Sequence, residues 1–89
     1  MRAVITVMGN DKPGIIAAVT ANLAANNVNI LDISQTTMQG IFTMIMLVDL
    51  SKSTADVSNL EKQLNNVGNE TGVSISVQHE DIFNSMHKV

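Results

Sequence analysis

The 89-residue chain has no cysteine, no tryptophan and no tyrosine, and its aromatic residues are two phenylalanines. Without cysteine there are no disulfides and no thiolate metal sites, a composition that suits a reducing cytoplasm. Without large aromatics the core has to be built from Ile, Val, Leu, Met and Ala. Basic residues are few: Arg2, Lys12, Lys52, Lys62 and Lys88 are scattered, against eight acidic ones, for a net charge of −3 and a pI near 5.0. Nucleic-acid backbones call for clustered Lys and Arg, so that partner is excluded. No apolar run approaches the roughly 20 residues that span a bilayer, and Asn10, Asp11 and Lys12 interrupt the N-terminal run too early for a signal peptide. These absences predict one small cytoplasmic domain without nucleic-acid or membrane partners.

What is present is apolar periodicity. Ala3, Ile5 and Val7 alternate with Val4, Thr6 and Met8, a strand with one fully apolar face. Pro13 then opens a predicted helix to about Asn26, since proline suits the first helical position. Ile15, Ile16, Val19 and Leu23 form its core-facing stripe. Its other side carries Ala17, Ala21, Ala24 and Ala25, and no charged residue occurs between Gly14 and Leu31. Two explanations fit equally: alanine as a strong helix former, or a smooth face packed against a second subunit. Asn26 and Asn27 end the helix.

A second strand is predicted over Val28 to Met38, where adjacent Ile30 and Leu31 break alternation and suggest a bulge. Gln39-Gly40 is a two-residue hairpin, and Ile41 to Leu50 is apolar on both faces, as in a central strand. Ser53-Thr54-Ala55-Asp56 resembles a capping box, and Val57, Leu60, Leu64 and Val67 mark an amphipathic helix that stops at Gly72. Val73 to His79 alternates as a half-buried strand. Two βαβ halves joined by a hairpin predict an α+β, ferredoxin-like βαββαβ sandwich: a four-stranded antiparallel sheet with two helices on one face. Right-handed crossovers place the first and third strands in the middle. Residues 80–89 form a C-terminal extension to the domain of residues 1–79. In it Ile82, Phe83 and Met86 share one side of a short helix, positioned to fold over the open sheet face or reach a partner subunit.

Catalytic and metal-binding patterns are missing, which predicts a non-enzymatic protein without a cofactor. There is no Gly-x-Ser-x-Gly elbow, and His79 and His87 lack the i, i+4 spacing of a helical zinc motif. Asp32, in a mostly apolar strand, reads as an acid of shifted pKa or as a charge that protects a sheet edge. Two polar features remain: the Asp11-Lys12-Pro13-Gly14 turn, whose following helix start presents free N–H groups suited to a carboxylate, and Asn29 at the opening of the second strand.

The order of elements, with Gly9-Asn10-Asp11-Lys12-Pro13-Gly14-Ile15 after the first strand and Val28-Asn29-Ile30 opening the second, resembles the ACT domain, and most of all its stand-alone single-domain members. The resemblance covers Ala3 to about Val77. It implies a regulatory domain binding a small-molecule effector, commonly an amino acid, at a contact between two domains. Asn10, Asp11, Lys12, Pro13, Gly14 and Ile15, with Asn29 and Ile30, occupy the ligand-binding positions. Asp11 and Asn29 supply the polar contacts, often from different subunits, and Gly14 and Ile15 supply backbone. Two departures stand out: Asp11 replaces an Asn of serine-binding relatives, and Gly9 stands where a His can assist. An anionic Asp11 favours a ligand's ammonium group. The resemblance also implies a homodimer through the second strand and first helix. The rival reading is a protein-interaction or dimerisation module without an effector; a small ferredoxin-like enzyme is a third, because the fold hosts many functions.

Overall fold

A computed structural model describes residues 1–86. The order is β1 (Arg2–Asn10), α1 (Ile15–Ala25), β2 (Asn29–Met38), β3 (Ile41–Asp49), α2 (Val57–Thr71), β4 (Val73–His79) and α3 (Glu80–Met86). The four strands form one antiparallel sheet in the order β2-β3-β1-β4, with the first and third strands central as expected. Ala3, Ile5 and Val7 of β1 and Phe42, Met44, Met46 and Val48 of β3 are buried on the face covered by α1 and α2. From β4, Val73, Ile75 and Val77 join them, and the helices add Ile15, Val19, Leu23, Leu60 and Leu64. The core is aliphatic and methionine-rich, the solution left to a chain almost without aromatics.

Most local signals act as their chemistry dictates. Gln39 and Gly40 have φ of 52° and 82°, the two positive values of a type I′ hairpin turn. Leu31 is the extra residue of a bulge between the pairs Ile30–Val48 and Asp32–Leu47. Asn26 caps the C-terminus of α1, with Asn27 left-handed at φ 59°.

Three details differ from the sequence-based expectation. Helix α1 begins at Ile15, not Pro13, because Gly14 has φ 93°, a left-handed value that no α-helical residue takes. Pro13 therefore belongs to the turn. Ile16 is exposed instead of joining the core stripe: with Ile15 facing inward, its neighbour lies about 100° further round. The cap of α2 is Asp56 itself, whose carboxylate accepts from Asn59 N at 2.8 Å. Ser53, three residues earlier, bonds within its own turn to Ala55.

Two contacts join the layers. Gly68 of α2 lies so close to β4 that a Cβ there would stand 2.6 Å from the Val73 carbonyl oxygen. Between the helices, the Gln63 side-chain oxygen accepts from Asn22 Nδ2 at 2.9 Å and Asn26 Nδ2 at 2.6 Å. Asn26 is buried, and such an amide is stable only when bonded. Helix α3 contacts β1 and β4, and Val4, which points to the open side of the sheet, is only 5% exposed there. The Arg2 guanidinium holds Glu80 through Nε at 2.9 Å and through Nη2, tying the start of α3 to β1. The side chains of Phe83 and Met86, and His87, lie outside the described residues.

Two outcomes follow. Gly68→Ala lowers stability by about 1–3 kcal/mol through overpacking, against the gain that helix propensity alone gives to alanine; urea unfolding reads the sign. The Arg2 guanidinium also holds the Glu80 carboxyl below the usual carboxylate range. The folded state then binds fewer protons than the unfolded one between the two pKa values, so stability is lost as pH falls through the folded value. Glu80→Gln makes the acid limb of a Tm-versus-pH curve shallower and leaves its neutral-to-alkaline limb parallel to the wild type.

Candidate functional site

The β1–α1 turn is held from two directions. Asp11 N donates to Gly40 O at 2.8 Å, pinning the turn to the β2–β3 hairpin. The Lys12 ammonium reaches the C-terminus of α2, where a Cβ on Gly72 would stand 3.0 Å from Nζ. Helix α2 has no basic residue in its own last turn, so Lys12 supplies the cation that a helix C-terminus favours. Asn10, Asp11, Pro13 and Gly14 are exposed, and Ile15 is in the core. The first turn of α1 has neither a capping side chain nor an acidic residue. Nothing lies within 4 Å of the Cβ position of Gly14, so the approach to the uncapped N–H groups is clear. This is a surface able to take a carboxylate.

Asn29 and Ile30 lie at the other end of the sheet. Asn29 pairs with Asp49, which pairs on its other side with Arg2, whereas Asp11 follows the pair Asn10–Ile41. One strand length, roughly 25 Å, separates them. Within a single chain the two predicted polar contacts are not brought together.

Asn29 does line a concavity of about 290 Å³, with Asn27, Val28, Asp49, Ser51 and Lys52. These partners come from the end of β3 and the turn after it. That turn is well tied: Asn27 Nδ2 donates to the Lys52 carbonyl at 2.9 Å, and Thr54 N to the Asn26 carbonyl at 2.9 Å. Asp49 accepts from Ser51 N at 2.9 Å, and this backbone hydrogen bond holds its carboxyl below the usual range. The concavity is thus lined by the Asp49 carboxylate, which lies 3.9 Å from the Met1 ammonium, by the Asn29 amide and by Lys52. Sequence reasoning missed Asp49, Ser51 and Lys52. Asp49 and Lys52 sit 20 and 23 residues from Asn29, and only the β2–β3 register places them beside it; no local motif signals that. Among the described residues no cluster of three or more potential metal ligands occurs, and no helix is long and apolar enough to cross a membrane.

Comparison with known proteins agrees with this architecture. Residues 2–78 match the family model of the ACT domain. A UPF0237 protein of Clostridium perfringens is 58% identical over 89 residues, all of both chains, and one of Methanocaldococcus jannaschii is 52% identical over 88 residues, 99% of this chain and 98% of its own. Among solved structures, an ACT domain protein from Streptococcus pneumoniae superimposes with a TM-score of 0.81 at 40% identity, covering 93% of each chain. With the βαββαβ order, the β2-β3-β1-β4 sheet and a family match over nearly its full length, the chain belongs to the ACT domain family.

Proposed function

We propose that this chain is a non-catalytic sensor that binds a small metabolite, an amino acid, where two copies meet along β2. ACT domains are regulatory and often bind amino acids. The observation that carries this reading is the state of that edge. Nearly all of β2 is exposed, Leu31 and Ile33 are each 43% exposed, and Asp32 is its one charged residue. Beside it, the outer flank of α1 shows Ile16, Ala17, Ala21, Ala24 and Ala25 to solvent without a charge. Thr20 turns its hydroxyl back to the Ile16 carbonyl at 2.8 Å, so it adds little polarity. A long unpaired edge with Leu31 and Ile33 exposed and a single charge calls for a partner strand.

Antiparallel pairing of β2 with its own copy about the strand centre sets Asn29 of one chain opposite Met38 of the other. Met38 pairs with Ile41, and Ile41 with Asn10. The concavity of one copy then reaches the level of the Asn10–Ile15 turn of the other, which accounts for two contacts that lie a strand length apart in one chain. A zwitterionic ligand suits such a site. Within the concavity of one copy Asp49 suits its ammonium and Asn29 bonds either end, while the Asp11 turn and the uncapped start of α1 of the other copy stand on the far side of the seam. A ligand bridging two copies stabilises the dimer or biases its geometry, which is how a regulatory domain passes on occupancy.

Thermal shift against the twenty amino acids, with sedimentation in parallel, tests the reading. Stabilisation of the β2-paired assembly by one of them is expected, and Asn29→Ala then weakens binding by about 1–3 kcal/mol, the cost of a hydrogen bond to a charged group. A β2-paired assembly that no amino acid stabilises points instead to an interaction module. Ile33→Glu, on the exposed edge, should halve the ligand-free mass without changing the far-UV circular dichroism.

A further inference from the structure

The side of the sheet away from α1 and α2 is half covered. Helix α3 leads from His79 and contacts β1 and β4 at the Arg2 end, over buried Val4. Diagonally across the same face, towards the β2–β3 hairpin, Met8, Met38, Ile41 and Ile45 are exposed, Met38 by 69% and Ile41 by 53%. The remaining positions towards the hairpin are Ser or Thr (Thr6, Ser34, Thr36, Thr43, Ser74 and Ser76), with Asn10 beside Ile41. In a chain of net charge −3 this hairpin end carries no charge, and Asp32, one pleat beyond Ser34, is the acid that borders it. Ile82 of α3 is a further exposed apolar side chain, 56% exposed.

We propose that this face is a second interface, on which another copy of the chain seats so that α3 of each fills the bare half of the other's sheet. The shape selects the occupant. A seven-residue helix is about 10 Å long and stands about 10 Å high on the sheet, so a flat partner meets a step. A second copy carries the matching step. The covered and bare halves lie on one diagonal, over β1–β4 at one end and β3–β2 at the other. The in-plane two-fold that exchanges them runs along the opposite diagonal and, from strand spacing and rise, crosses the two groups of strands at about 65°. Ile82 of each copy then lies against Ile45 and Ile41 of the other, a self-complementary contact of the kind a two-fold requires. The uncharged hairpin end meets its mate without like-charge repulsion. From strand spacing and rise the face measures about 19 by 30 Å. Seating a copy across it buries about 600 Å² per partner, about 1,200 Å² in all, the lower end of the range for specific interfaces.

This interface is independent of the β2 edge, so the full chain is expected to sediment as a tetramer. Ile45→Glu, Ile41→Glu and Ile82→Lys each reduce it to half its mass with unchanged circular dichroism. Combining Ile45→Glu with Ile82→Lys restores the larger assembly, because the two-fold brings those positions together as opposite charges; a loss of folding alone cannot be rescued this way. Ile33→Glu with Ile45→Glu gives the monomer. A dimer that Ile33→Glu leaves intact and Ile45→Glu splits upholds this interface while the β2 reading falls. A wild-type mass that none of Ile45→Glu, Ile41→Glu and Ile82→Lys changes, or a double variant that fails to reassociate while folded, overturns it.

Discussion

A four-stranded sheet has two faces and two edges, and helices α1 and α2 cover one face. That limit governs the rest of the molecule. The covered face is finished: β1 and β3 lie under the helices with aliphatic and methionine side chains, and α2 approaches β4 closely through Gly68. What lies beyond its reach is half finished. Strand β2 is exposed along nearly its whole length, and among the described residues the opposite face is covered by α3 over one corner. Exposed apolar side chains gather in these two places, while the exposed flank of α2 is polar, with Asn65, Asn66, Asn69 and Glu70. Surface hydrophobicity here follows the geometry of coverage.

The same limit explains where chemistry collects. Strand ends are where turns bring polar side chains together, and this sheet has two such ends. At the hairpin end the β1–α1 turn is held by Gly40 and, through Lys12, by the end of α2. Lys12 therefore stabilises the turn's position instead of standing free beside Asp11. At the other end, the turns after α1 and β3 are tied to each other through Asn27 and Thr54, and Asp49 lies next to Asn29. The carboxylate suited to a ligand's ammonium group is thus present within Asn29's own concavity, whereas from the sequence Asp11 was the candidate for that part.

Much of the fold was legible because its signals are local. Alternation in β1 and β4, the two-sided apolarity of β3, the positive φ values of Gln39 and Gly40 and the stop at Gly72 depend on neighbours within a few residues. The misreadings were also local, but they turned on dihedral angles that composition leaves open. Proline before glycine permits either a helix start at Pro13 or a turn through Gly14, and the left-handed Gly14 settled it. Asp56 and Ser53 were both chemically able to cap α2, and the path of the chain out of β3 chose Asp56.

By itself the sequence determined the element order, the composition of the core and the charge-free character of α1, because periodicity and propensity are properties of short stretches. Only the tertiary structure decided that Asp11 and Asn29 lie a strand length apart, that Asn29 has Asp49 and Lys52 for neighbours, and that Gln63 joins Asn22 to Asn26 between the helices. Each of these depends on antiparallel register or helix–helix packing between residues 18 to 41 positions apart. The physical reason is that side-chain proximity at such separations is set by which strand pairs with which, in what direction and with what bulge. No stretch of a dozen residues carries that information.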